Sequence, residues 1–268
     1  GGVPMSKIFA IMSGKGGVGK STVSAALAEL YARQGLKVTL VDGDVGLRCA
    51  DLMLGMQDRV VYDLGDWAQS ACTPEQALAA VPGLPTLTLL AAPQMLRPSD
   101  MKGKEIERVV SWLARRQDVV LIDAPAGIGR GLKNLLLEKA QPVIVATPDD
   151  VSIRDAERLT ALLTEKGMDA HPGLVLNRVS RRLVRRGEML PPQQLAAALD
   201  LPLTGVIPES EGIYRALLRH ETALHAGDEA VARAMETLGS RLLGADAPLP
   251  AYRPSPILRF FAKGGDRS

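Results

Sequence analysis

The stretch KIFAIMSGKGGVGKST (residues 7–22) decides the fold. It opens as an apolar, β-rich run, turns through Gly14, Gly16, Gly17 and Gly19, and continues into a helical pattern. Gly14, Gly19, Lys20 and Ser21 satisfy G-x-x-x-x-G-K-[ST] in the strand–loop–helix setting that the pattern requires. That spacing suits a nucleotide triphosphate. Glycines let backbone N–H groups wrap the β-phosphate, Lys20 reaches the β- and γ-phosphates, the Ser21 hydroxyl faces Mg²⁺, and the helix N-terminus adds its dipole. The nucleotide-binding set expected here is therefore Gly14, Lys15, Gly16, Gly17, Val18, Gly19, Lys20, Ser21 and Thr22, with ATP and Mg²⁺ as cofactors. Lys15 is surplus to it: a loop already holding Lys20 gains little from a second ammonium on the same phosphates.

Working outward, short apolar runs recur at 7–13, 37–42, 86–92, 118–125, 142–148, 173–178 and 203–208, separated by helical pattern. Nearly continuous apolar strands joined by helices predict a mostly parallel twisted sheet covered on both faces, an α/β fold of the P-loop NTPase kind. Val23, Ala26, Leu27, Leu30 and Tyr31 form one helical stripe, closed by Gly35. Further helices are expected over 103–116, 131–140, 152–167, 191–199, 211–220 and 228–243. No internal repeat is visible.

Composition sets the bounds. With 268 residues and 46% apolar residues the chain can bury a large core, and 3% aromatics means that core is aliphatic. A net charge of +2 gives no global argument for nucleic acid. Cys49 and Cys72 stand far apart without C-x-x-C, which argues against an iron–sulfur or zinc site and for a reducing compartment. No run of about eighteen apolar residues and no signal peptide are found, so a cytoplasmic protein is expected. Gly1 to Pro4 precede Met5 and are set aside as a remnant.

The second strand ends in VDGDVGLR and the fourth in DAPAGI, delivering Asp42, Asp44 and Asp123 to the carboxyl edge of the sheet. Carboxylates there hold Mg²⁺, often through its waters. Ser21, Asp42 and Asp123 are the metal candidates. Asp44 is placed to position an attacking water, and Lys15, Lys20 and Asp44 are the catalytic candidates. As residues alone, Asp42 and Asp44 could equally be turn formers.

The K-G-G-V-G-K-[ST] form (15–21) resembles the deviant Walker A motif of the MinD/ParA ATPases. The likeness to the MinD type extends through D-x-G-L-R-x-x-D-L-x-L-G (44–55), RVVYDL (59–64), S-x-R-D (152–155), RGEML (186–190) and GVIPE (205–209), nearly the whole chain. It implies that Lys15 crosses an ATP-dependent homodimer interface, that Asp44 and Asp123 are switch carboxylates, and that Asn177 and Arg178 read the adenine, with Pro208 closing over the ring. It also implies a MinC-type inhibitor of the division ring as partner, a MinE-type activator in some lineages, and a role in placing the septum. Cys49 and Ala50 depart from the family's Asn and Leu. A ParA-type DNA-segregation ATPase and an FlhG-type flagellar-number regulator are the alternatives. For the first of these the run RVSRRLVRR (178–186), five arginines in nine residues, would be the DNA patch; it could equally be a solvated loop or attract anionic lipid.

The C-terminus separates these readings. GADAPLPAYRPSP (244–256) carries four prolines and reads as a linker after an ATPase domain over 5–243. Beyond it, in 257–265, Ile257, Leu258, Phe260 and Phe261 gather on one helical arc with Arg259 and Lys263 opposite. An apolar face with bulky rings and a basic face suits an amphipathic helix lying in an anionic membrane interface. This expects a peripheral protein on the inner face of the cell membrane, held there when two tails act together, with nucleic acid an improbable partner.

Overall fold

The computed structural model describes residues 6–44, 49–93, 102–168 and 172–255. The proposed membrane residues Ile257 to Lys263 and the leading residues 1–4 lie outside them. Strands are β1 (Lys7–Met12), β2 (Val38–Asp42), β3 (Ala79–Ala80), β4 (Leu87–Leu90), β5 (Val119–Asp123), β6 (Gln141–Ala146), β7 (Gly173–Val179) and β8 (Leu203–Pro208). Among the described residues they form one sheet in the order β3-β4-β2-β5-β1-β6-β7-β8. Every pairing is parallel except the short β3 on β4.

Helices are α1 (Lys20–Arg33), α2 (Cys49–Met53), α3 (Leu64–Ala68), α4 (Pro74–Ala77), α5 (Gly103–Ala114), α6 (Arg130–Asn134), α7 (Asp150–Glu165), α8 (Arg181–Arg186), α9 (Pro192–Ala198), α10 (Glu211–Leu218) and α11 (Glu229–Leu242). Strand alternation splits the core in two. Phe9 and Ile11 of β1 face α1 and α11, whereas Ala10 and Met12 face α5, α7 and α9.

The stripe expected on α1 is buried throughout, but so are Ser24, Ala25, Ala28 and Glu29. The helix lies beneath a second layer: Tyr31 donates its hydroxyl hydrogen to the Gly239 carbonyl of α11 at 2.9 Å. Glu29 is held by Thr222 at 2.5 Å, His225 at 2.9 Å and Arg33, which is why a carboxylate tolerates that position. Burial would raise its pKa, and these hydrogen bonds bring it below the usual value instead.

Two expectations are corrected. The helix expected over 131–140 stops at Asn134, and 135–140 pass through turns closed by Leu135 N–H on Leu132 O and Ala140 N–H on Leu137 O. Those turns bury Leu135, Leu137 and Ala140 against the sheet, a tertiary gain that outweighs helix propensity. The arginine run, outside every helix expected from the sequence, contains α8. Residues 244–255 carry neither helix nor strand, yet Tyr252 is only 5% exposed and joins the core beside α8.

Candidate functional site

The register of the sheet builds the site before any side chain is considered. Asp42 at the end of β2 stands beside Asp123 at the end of β5, and Ile11 of β1 is the next neighbour of Asp123. The loop 13–19 leaves β1 at this same edge. Gly19, at φ 92°, turns the chain into α1, a conformation open to glycine and costly for other residues. A Cβ on it would also lie 2.2 Å from Asn177 Nδ2. At Gly14 a Cβ would lie 2.3 Å from the Asp155 carbonyl oxygen, so the loop presses directly on the backbone of α7.

Lys20 is 5% exposed and its Nζ lies 2.8 Å from Asp123 Oδ1, 3.7 Å from Asp44 Oδ2 and 3.5 Å from Ser21 Oγ. Asp42 accepts the N–H of Asp44 at 2.9 Å and of Ala50 at 3.3 Å. Burial alone would lower the Lys20 pKa, but Asp123, with Asp44 and Asp42, raises it above the usual lysine value. Desolvation, then the Asp123 charge, pushes Asp42 up to about 7. Desolvation raises Asp44 as well. Three carboxylates share one ammonium, leaving the cluster short of positive charge.

Asp123 Oδ2 and Ser13 Oγ are buried without a hydrogen-bond partner. A donor set of hard oxygens with an unsatisfied carboxylate atom, beside a glycine-rich loop, fits a phosphate-bound Mg²⁺. Ser21, Asp42 and Asp123 are thus brought together with Lys20 and Asp44, and Thr22 follows on the same helix turn.

Lys15 stands apart from this cluster. Its side chain is one-third exposed, and its Nζ meets Asp149 Oδ1 at 3.2 Å. Asp149 caps α7 by accepting the Ser152 N–H at 2.9 Å and takes the Thr147 hydroxyl on its other oxygen. Burial would raise the Asp149 pKa, but those bonds and Lys15 lower it. Lys15, Gly16, Gly17 and Val18 line a cleft of about 300 Å³ together with Asp149 and Arg178.

Asn177 reaches the loop as well, donating from Nδ2 to the Val18 carbonyl at 2.8 Å while Oδ1 accepts the Arg178 N–H. Arg178 is held at φ 58°, in the left-handed region. Pro208 is not brought to that cleft: it lines another, with Arg181, Arg233 and Tyr252. Two participants escaped sequence reading. Ser24 donates to Asp123 Oδ1 at 3.0 Å, and its signal is a hydroxyl four residues after Lys20 inside an apolar stripe. Asp149 is the other, signalled by an Asp three residues ahead of Ser152 at a helix start.

The ParA family model, described as NUBPL iron-transfer P-loop NTPase, matches residues 4–238. The septum site-determining protein MinD of Helicobacter pylori is 36% identical over 255 residues, 93% of this chain and 95% of the relative. The chain belongs to the MinD family. It is also similar in structure to the MinC:MinD cell division protein complex of Aquifex aeolicus, at TM-score 0.82 and 31% identity, covering 92% of this chain and 100% of that one. MinD of Pyrococcus horikoshii, solved with Mg-ADP, superposes at TM-score 0.76 and 27% identity over 89% of this chain and 96% of its own. The chain is thus a nucleotide-binding P-loop ATPase of the MinD/ParA type. In MinD terms, the K-G-G-V-G-K loop, Asp44 and Asp123 occupy one sheet edge, and Lys15 lies outside the carboxylate cluster.

Proposed function

We propose that this protein is a Mg²⁺-dependent ATPase that dimerises on ATP, associates with the membrane through its tail and places a MinC-type inhibitor of the division ring there, with hydrolysis releasing it. The observation that carries the reading is the division of labour between the two loop lysines. Lys20 is buried among Asp42, Asp44 and Asp123, whereas Lys15 is surface-held by Asp149 and left over by its own site. A cation stationed at the rim of a nucleotide cleft can serve a second copy's nucleotide, as an arginine finger does.

Lys20 and the loop N–H groups bind and orient the triphosphate. Ser21, Asp42 and Asp123 would hold Mg²⁺, which when bound neutralises phosphate oxygens and polarises them. Ser24 keeps Asp123 in place. Asp44 is close enough to the cluster to orient water and is exposed enough, at 17% of its side chain, to reach it. Arg178, which lines the cleft, and Asn177, bonded to Val18 of the loop, would read the base, whereas Pro208 lines another cleft. Membership of the MinD family and similarity to the Aquifex complex support a MinC-type partner; a MinE-type activator belongs to the same reading.

Replacing Asp44 by Ala is expected to lower hydrolysis by about 10²–10⁴-fold while ATP-driven dimers persist. Single-turnover assay beside analytical ultracentrifugation checks both; full turnover in the variant would remove Asp44 from the chemistry.

The membrane half of the proposal divides the chain into an ATPase domain over 5–243, a linker over 244–256 and a targeting segment over 257–265. Among the described residues no helix is long and apolar enough to cross a bilayer. The experiment that tests the whole reading is co-sedimentation with anionic liposomes, ATP against ADP. Binding is expected with ATP alone, and truncation before Pro256 should abolish it without affecting dimerisation. Equal binding in both nucleotides would replace the switch by a static anchor.

A further inference from the structure

The arginine run acquires a definite surface once folded. At 100° per residue Arg181, Arg185, Arg182 and Arg186 fall on one arc of α8 about 140° wide, while Val184 turns into the core. All four are exposed. Arg186 is neutralised by Glu188 at 2.7 Å. Arg181 lies over the Tyr252 ring at 5.1 Å, and among the described residues no carboxylate pairs with Arg181, Arg182, Arg185 or Arg253.

The second observation is where the chain leaves. Ser255, the last described residue, donates its N–H to the carbonyl of Arg185 at 3.0 Å, and Tyr252, 5% exposed, is pinned in the core beside it. Arg253 lies between these two anchors. Residues 252–255 are therefore held against α8, and the sequence continues from there into ILRFF (257–261).

We propose that Arg181, Arg182, Arg185 and Arg253 form a docking surface of the folded domain for anionic lipid headgroups, distinct from the tail and seated around its root. The proposal rests on the membrane reading given above. Cations on α8 and at Arg253, next to the point from which the sequence continues into two phenylalanines, match the layering of an anionic bilayer, headgroup charge outside and acyl chains beneath. A nucleic-acid backbone would match the arginines and leave Phe260 and Phe261 of the sequence without a role. Anchoring at Ser255 also fixes the domain's orientation, since the tail cannot insert without bringing α8 to the headgroups.

Each cation near an anionic surface strengthens binding about fivefold. The test uses the full chain with ATP on vesicles of phosphatidylcholine with and without phosphatidylglycerol, over a salt series. Arg182→Gln/Arg185→Gln should weaken binding to anionic vesicles by about 25-fold and flatten its salt dependence. Dimerisation and thermal melting should stay as in the wild type, and Arg182→Lys/Arg185→Lys should restore binding. Wild-type binding by the Gln variant would overturn this proposal and leave the tail reading standing. Loss of binding on truncation before Pro256, with the Gln variant weakened, supports both. A wild type that ignores anionic vesicles overturns both together. A Gln variant weakened on duplex DNA and unchanged on vesicles assigns the patch to nucleic acid instead.

Discussion

Lys15→Ala is expected to bind ATP with an affinity within a few-fold of wild type, to remain monomeric with ATP, and to lose stimulated hydrolysis by about 10³-fold or more. Lys20 already supplies the ammonium for the chain's own phosphates, sitting 2.8 Å from Asp123 in the carboxylate cluster, while Lys15 makes its contact with Asp149 at 3.2 Å on another element. Removing Lys15 therefore deletes a group that the monomer's phosphate site does not use. Its cost falls on the assembly in which a second copy needs that charge. The Lys15–Asp149 pair is solvent-exposed, so its loss costs the monomer little stability. Equilibrium nucleotide binding, sedimentation velocity with ATP, and phosphate release together make the check. Wild-type dimers in the variant would assign Lys15 to its own loop, and loss of ATP binding would do the same.

This separation of the lysines shows how unevenly a site is legible in a sequence. The loop, its glycines and the three aspartates announce themselves because strand ends and short motifs are local. Asp149 is 134 residues from Lys15, and nothing local to either links them. Ser24 was hidden for another reason: α1 is buried on more than one face, so a hydroxyl turned inward looks like a break in an amphipathic pattern. The strands of the parallel sheet were readable because both faces are covered and their apolar runs are continuous. β3 was not, having two alanines with no β preference and existing only because β4 offers an open edge. α8 was missed because its identity depends on Val184 being buried, which five neighbouring arginines obscure. By contrast α3 after Asp63 and α4 after Thr73 start with capping boxes, a signal local to the sequence.

Removing the other lysine should have a different and larger structural consequence. Lys20→Met is expected to cut hydrolysis by at least about 10²-fold and to destabilise the nucleotide-free protein by about 3–5 kcal/mol. Lys20 is 5% exposed and stands between Asp123, itself 1% exposed, and Asp44. Those carboxylates, with Asp42 beside Asp123 in the register, have no other cation among the described residues to face. A methionine keeps the volume of the stem, so the loss is electrostatic rather than a cavity. For a domain of this size the melting temperature should fall by roughly 6–20 °C. Mg²⁺ added without nucleotide should recover part of that fall in the variant and do less for the wild type, where Lys20 already offsets part of the cluster's negative charge. Calorimetry with and without Mg²⁺ decides it. An unchanged melting temperature would mean that the folded state tolerates the carboxylates without Lys20, and the ammonium would then serve the phosphates alone.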